Sequence, residues 1–215
     1  MTETAWILLG DVIDSREIAD RDAFETRLTG TLRRVADEYE EDVIEAPRRI
    51  KGIDEIAGVL GSVENVVGVQ RQISLGVHPE RIRLVVVRGD VERVGAGDVT
   101  EMRGAGFADA ADELDRVEAA GETFSLVGLP RRAASLSATV NLLDYVRSTW
   151  TERRVEVLRA VETHGSQAAA ASELGVSRQA INGHLTDESV KTVDAVERTL
   201  SEELSSLAAT SSTEI

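Results

Sequence analysis

One stretch near the C-terminus admits few conformations: Gln167-Ala-Ala-Ala-Ala-Ser-Glu-Leu-Gly-Val-Ser-Arg-Gln-Ala-Ile-Asn-Gly-His-Leu-Thr186. Ser166 is placed to cap a short helix of small residues from Gln167 to Leu174. Gly175 supplies the left-handed backbone of a tight turn. Ser177 then caps a second helix, from Arg178 to Leu185. Ala171 is small where the two helices must cross, and Leu174, Val176, Ile181 and Leu185 close the unit. This pattern predicts a helix-turn-helix whose second helix enters the major groove of DNA by its N-terminal end. The outward side chains are then Ser177, Arg178, Gln179, Asn182 and His184. Arginine favours guanine there, and glutamine or asparagine favours adenine. Arg153 and Arg154, on the preceding helix, are candidates for phosphate contacts. The bland alternative is a small helical bundle that binds protein or has lost its ligand.

Charge bears on that reading. The net charge is −15 over 215 residues, whereas affinity for nucleic acid ordinarily rests on Lys and Arg neutralising phosphates. Only Lys51 and Lys191 are lysines, and aromatic residues make up 3% of the chain. Acidic excess, scarce lysine and few aromatics predict a salt-rich cytoplasm, that of a haloarchaeon. At about 1 M salt the Debye length is only ~3 Å, so long-range repulsion from DNA is screened. The competing reading is an acidic protein with no nucleic-acid role. The chain has no cysteine, which excludes a disulfide framework and a thiolate zinc site. No apolar run approaches membrane-spanning length, and the expectation is a cytoplasmic protein without a membrane partner.

The N-terminal part alternates short apolar runs with amphipathic stretches. Ala5-Trp-Ile-Leu-Leu9 predicts a buried strand that Gly10 stops, leaving Asp11 just beyond it. Asp20 caps a helix to about Tyr39, with Phe24, Leu28, Leu32 and Val35 inward. Arg48 to Leu60 predicts a hairpin turning near Gly52 to Glu55. Ser62 starts a helix that Gly76 ends, and Arg81 to Val87 is a β-branched strand that Arg88 to Glu92 leaves. Gly95 to Asp98 and Met102 to Phe107 are glycine-rich loops, followed by a helix to about Ala120 and a strand from Thr123 to Val127. The order β-α-β-β-α-β-α-β predicts a mixed sheet with helices on one face, a ferredoxin-like or palm core. Pro130 begins a connecting helix to Trp150, and Thr151 caps the next one. Val190, Val193, Val196, Leu200, Leu204 and Leu207 form an apolar stripe. The stripe either packs back on the chain or pairs with a second copy; the sequence leaves both open.

The fold class read from these patterns is α+β, with an all-α helix-turn-helix unit after it. The expected boundaries are a palm-like domain at 1–129, a connecting helix at 130–149, a DNA-binding domain with its terminal helix at 150–208, and a disordered tail at 209–215. If the first strand lies beside the hairpin, Asp11, Asp54 and Glu55 converge. Hard oxygen ligands of that kind suit Mg²⁺ with a phosphate nearby. Asp14, Ser15 and Arg16 are then candidates to hold a nucleotide's phosphates. The alternative is that Asp11 merely closes the turn before the next helix.

The motifs also resemble a known family. Gly10-Asp-Val-Ile-Asp-Ser-Arg16 is similar to the N-terminal GDIIxSR motif of SatD-family proteins. Gly52-Ile-Asp-Glu-Ile-Ala-Gly-Val-Leu60 resembles that family's LGDEFQGVL hairpin, and Met102-Arg-Gly-Ala-Gly-Phe107 its MDGPAF segment. The resemblance implies a palm core like that of nucleotidyl cyclases. By position, Asp11 matches the first-strand metal ligand, and Asp54 and Glu55 the acidic pair of the hairpin. The departures are Ile53 in place of a glycine, Ile56 and Ala57 in place of Phe and Gln, and Arg103 in place of Asp. They imply a degenerate catalytic site.

Three readings follow. The first is a DNA-binding transcription regulator whose N-terminal domain senses a nucleotide or mediates assembly. The second is a metal-dependent nucleotidyl cyclase or transferase. The third is an adaptor that pairs subunits.

Overall fold

A computed structural model describes residues 2–52, 54–93, 99, 102–129 and 132–211. The elements run β1 (Thr2–Ile13), α1 (Arg21–Glu38), β2 (Val43–Lys51), β3 (Glu55–Leu60), α2 (Val66–Val77), β4 (Arg81–Arg93), β5 (Met102–Arg103), α3 (Ala105–Ala120) and β6 (Phe124–Val127). Five helices complete the chain: α4 (Ala133–Ser148), α5 (Glu152–His164), α6 (Gln167–Glu173), α7 (Arg178–Leu185) and α8 (Glu188–Ser211). The loop at 95–98, Ile53, Pro130 and the last four positions of the expected tail lie outside the described residues. Residues 209–211, expected in that tail, continue α8.

The sheet order is β2-β3-β1-β4, all antiparallel, which with α1 and α2 makes the ferredoxin-like βαββαβ arrangement. Both β5 and β6 add to β4, β6 in parallel, so the sheet is mixed. Two expectations about strand ends are corrected. Gly10 does not stop β1, which continues to Ile13, so Asp11 lies within the strand. A Cβ at Gly10 would stand 2.6 Å from Leu84 and 2.9 Å from Ile56. The glycine lets neighbouring side chains close over β1; it does not break it. Likewise Arg88 to Glu92 does not leave β4, because Thr2 to Ala5 pair with Glu92 to Gly89.

The expectation of helices on one face is also corrected. Trp6, Leu8, Val12, Ile56, Leu60, Leu84 and Val86 face a core shared with α1, α2, α4, α5 and α8. Ile7, Ala57, Val59, Val85, Val87 and Val91 face the other way, onto α3. The strands are apolar on both faces, as sandwiched strands require. Helix α3 comes close because Gly106 lies on Gly89; a Cβ on Gly89 would be 2.5 Å from the Gly106 Cα. Helix α2 begins at Val66, four residues after Ser62, whose hydroxyl accepts from the Glu64 N–H.

Helices α4, α5 and α8 share the sheet's core. The large apolar cluster continues from β1 through Leu136, Val140, Leu143, Trp150, Val155 and Leu158 to Val190, Val193, Leu200 and Leu204. The α8 stripe therefore buries against this chain. A third, small cluster of Val157, Ala160, Ala170, Ala171 and Ile181 joins α5, α6 and α7.

Inside the main core lies an ion network. Arg147 is 2% exposed. Its Nη1 donates to Asp144 at 2.8 Å and to Gln70 at 2.9 Å, and its Nη2 donates to Glu197. Asp144 also accepts from Gln70 at 2.8 Å, Ser74 at 3.2 Å and Thr123 at 2.8 Å. Glu197 takes a further ion pair from Arg71 at 3.0 Å. Burial pulls the Arg147 guanidinium below its ordinary range, and the Asp144 charge opposes that. Truncating Arg147 would leave Asp144 buried without its cation and Glu197 with Arg71 alone, a loss of about 3–5 kcal/mol. At roughly 2–4 °C per kcal/mol, Arg147→Ala is expected to lower Tm by roughly 6–20 °C in a thermal melt, whereas Arg153→Ala on the surface should move it by about 2 °C at most.

Candidate functional site

The register of the three central strands arranges the candidate carboxylates. Asp11 on β1 stands opposite Glu55 on β3 and opposite Arg83 on β4. Directly paired residues share a face, here the face that α3 covers. Arg83 Nη1 donates to Asp11 Oδ2 at 3.1 Å, and Glu118 of α3 approaches the same guanidinium at 3.5 Å. Burial raises the Asp11 pKa; Arg83 opposes this, and the charges of Asp54 and Glu118 add to the rise. Asp54 sits in the turn before β3. Its backbone carbonyl accepts from Val12 N–H at 3.1 Å, and its carboxylate accepts from Ser15 Oγ at 2.8 Å.

The phosphate candidates follow β1. Asp14 has φ +53°, a left-handed conformation that turns the chain into a short 3₁₀ segment, Ser15–Glu17. The Asp14 and Arg16 side chains are exposed, and Ser15 is turned toward Asp54. The structure thus gathers Asp11, Asp54, Glu55 and Ser15 at one end of β1. It also places a cation among them. Among the described residues, no three His, Asp or Glu side chains form a group able to hold a metal ion. With the Asp11 carboxylate engaged by Arg83 and that of Asp54 by Ser15, this donor set does not fit the Mg²⁺ that the resemblance implies. The role of Arg83 was not read from the sequence, because the pairing depends on a register that spans 72 residues.

At the other end of the chain the local reading is close to the structure. Ser166 Oγ accepts from Ala169 N–H at 3.2 Å, and Ser177 Oγ accepts from Ala180 N–H at 3.1 Å. Gly175 has φ +63°. Helix α7 lays Ile181, which is fully buried, onto α5 and α6. Ser177, Arg178, Gln179 and Asn182 are exposed on its outer side, and His184 is half-buried in its last turn. The two flanking arginines differ. Arg153 is exposed and pairs with Glu156 at 2.6 Å. Arg154 is half-buried and bonds Asp187 at 2.6 Å and Ser189 at 3.4 Å, so it joins α5 to the start of α8. Asp187 also accepts from the Ser189 N–H and hydroxyl. Those bonds, with Arg154 adding to them, hold its carboxyl below the ordinary carboxylate range. Asp187 is the cap that sequence reasoning missed; its signal was an Asp two residues before a serine at a helix start.

A carboxyl whose folded pKa is raised is penalised when ionised. The penalty is present at neutral pH and disappears as pH falls through the raised value toward the ordinary 3.8. Asp11→Asn is therefore expected to melt no lower than the wild type at pH 7, with any gain shrinking toward pH 4. Adding Mg²⁺ should shift both proteins equally; thermal melts across pH, with and without Mg²⁺, check both outcomes.

Comparison with known proteins completes the description. A bacterial light-regulated adenylyl cyclase overlays with a TM-score of 0.44 at 12% identity, over 59% of this chain and 43% of its own. This chain therefore spans less than half the length of that protein. The guanylyl cyclase Cya2 overlays with a TM-score of 0.40 at 14% identity, over 66% of this chain and 79% of its own. A regulator of polyketide synthase expression from Bifidobacterium adolescentis overlays with a TM-score of 0.30 at 14% identity, over 94% and 82%. No curated protein matches the sequence. Among the described residues no helix is long and apolar enough to cross a membrane. The SatD family model matches residues 6–199, and on that extent the chain belongs to the SatD family.

Proposed function

We propose that this chain is a DNA-binding regulatory protein, with α5 to α7 as its helix-turn-helix and α7 as the recognition helix. One observation carries the reading. Arg178, Gln179 and Asn182 are exposed together on the outer face of α7, and none of their side chains bonds to another described residue. The neighbouring Arg153 and Arg154 are both taken. Helix α7 is held by Ile181 beneath and by the Ser177 cap at its entrance, the geometry by which a short helix presents its first turns to a major groove.

Charge shapes how such a helix binds. With a net charge of −15, few phosphates are neutralised and counterion release contributes little. Base contacts then supply most of the affinity, and a salt-rich cytoplasm supplies the screening. The βαββαβ unit is the sensing or assembly part of this reading. The alternative, a metal-dependent nucleotidyl cyclase, finds Arg83 bonded to the carboxylate it needs.

The test is selection of binding sequences from a random DNA pool in concentrated KCl, followed by anisotropy titrations. Arg178→Ala is expected to weaken the selected site roughly 5–150-fold, the range of about 1–3 kcal/mol for a bidentate base contact. Its circular dichroism should be unchanged. Enrichment of no sequence, or full-strength binding by Arg178→Ala, defeats the assignment.

A further inference from the structure

Where α1 meets α5 and α6, three arginines converge. Arg27 and Arg34 come from α1 and Arg159 from α5, and together with Thr26, Thr163, Ala160 and Leu174 they line a cleft of about 440 Å³. We propose that this cleft binds a phosphorylated small molecule, its phosphate held by Arg34 and Arg159 and its remainder lying over Ala160 and Leu174.

Arg34 and Arg159 keep unspent donors. A guanidinium offers five N–H groups. Arg159 gives the chain one hydrogen bond, from Nη1 to the Gly76 carbonyl at 3.2 Å. Arg34 bonds two threonine hydroxyls, Thr163 at 3.1 Å and Thr31 at 3.4 Å, and its buried Nε finds no acceptor. Neither has an ion pair within the described residues. Several of the carboxylates around them are already engaged. Glu80 is held by Arg27, Glu156 by Arg153 and Glu162 by Arg71. Glu38 accepts from Gln72 at 2.6 Å, while Asp37 and Glu173 stand exposed at the rims of this cleft and the one adjoining it.

Two half-buried like charges side by side repel each other. Burial pulls the Arg159 pKa down and Arg27 and Arg34 pull it further, while Glu156 and Glu162 oppose them. A dianion between the guanidiniums reverses the sign of that interaction, and a planar fork matches phosphate oxygens. The Thr26 and Thr163 hydroxyls, which line the cleft, supply neutral donors. The site is independent of the DNA reading.

The experiment titrates the full chain with inorganic pyrophosphate, with AMP, and with adenosine as the phosphate-free control, ionic strength being matched with KCl. Calorimetry and thermal melts are read together. Pyrophosphate and AMP are expected to bind saturably at one site per chain and to raise Tm, and adenosine is not. Tighter binding of AMP than of pyrophosphate assigns the Ala160 side of the cleft to the base; the reverse makes it a site for phosphate alone. Arg159→Gln and Arg34→Gln should each weaken binding at least tenfold. If Arg159→Gln fails to fold, Arg34→Gln and the wild-type titration decide. Absence of saturable heat with either anion, or equal binding by Arg34→Gln, overturns the proposal.

Discussion

A buried arginine between two carboxylates organises this molecule. Removing Arg147, Asp144 and Glu197 from water is costly, and a dense set of partners offsets it. Gln70 and Ser74 on α2, Thr123 before β6, and Glu197 on α8 supply that set. These groups come from four separate parts of the chain, so they meet only when the C-terminal helices lie correctly on the sheet's own helices. Apolar contacts between α8 and α2 would tolerate sliding; directional bonds to one guanidinium do not.

The sheet imposes a second constraint. Helix α3 packs on the far face, where its Gly106 seats on Gly89 of β4. The far end of the same helix brings Glu118 to Arg83. A strand end that looked like an open cluster of metal ligands is in this way a paired ion on a covered face. Had β1 ended at Gly10, Asp11 would have been free in a loop. Pairing through Ile13 with β4 put it opposite an arginine instead.

Several arginines in this chain answer to a carboxylate, as Arg27, Arg71, Arg83, Arg147 and Arg154 do. Arg178 on α7, and Arg34 and Arg159 in the cleft below α5, do not. The first is exposed on a helix that presents its N-terminal turns outward. The others are half enclosed between the sheet's first helix and the three-helix cluster. An outward arginine suits a large anionic polymer, and an enclosed pair suits a small anion.

Features that depend on a few neighbouring residues were legible in the sequence. The caps at Asp20, Thr151, Ser166 and Ser177 accept the N–H groups expected of them. The Gly175 turn and the inward faces of α1 and α4 also follow from spacing alone, because capping and amphipathic periodicity act within one or two helical turns. A hint of the core network was present too: Arg147 falls at the position that continues Leu136, Val140 and Leu143 along α4. What the sequence by itself determined was therefore the set of elements, their caps and their apolar faces. Tertiary structure alone decided how far β1 and β4 extend, which face α3 covers, and which cation meets Asp11, Asp144 and Glu197. Those outcomes depend on strand register and helix docking across many tens of residues, where one pairing excludes another and no local pattern records the choice.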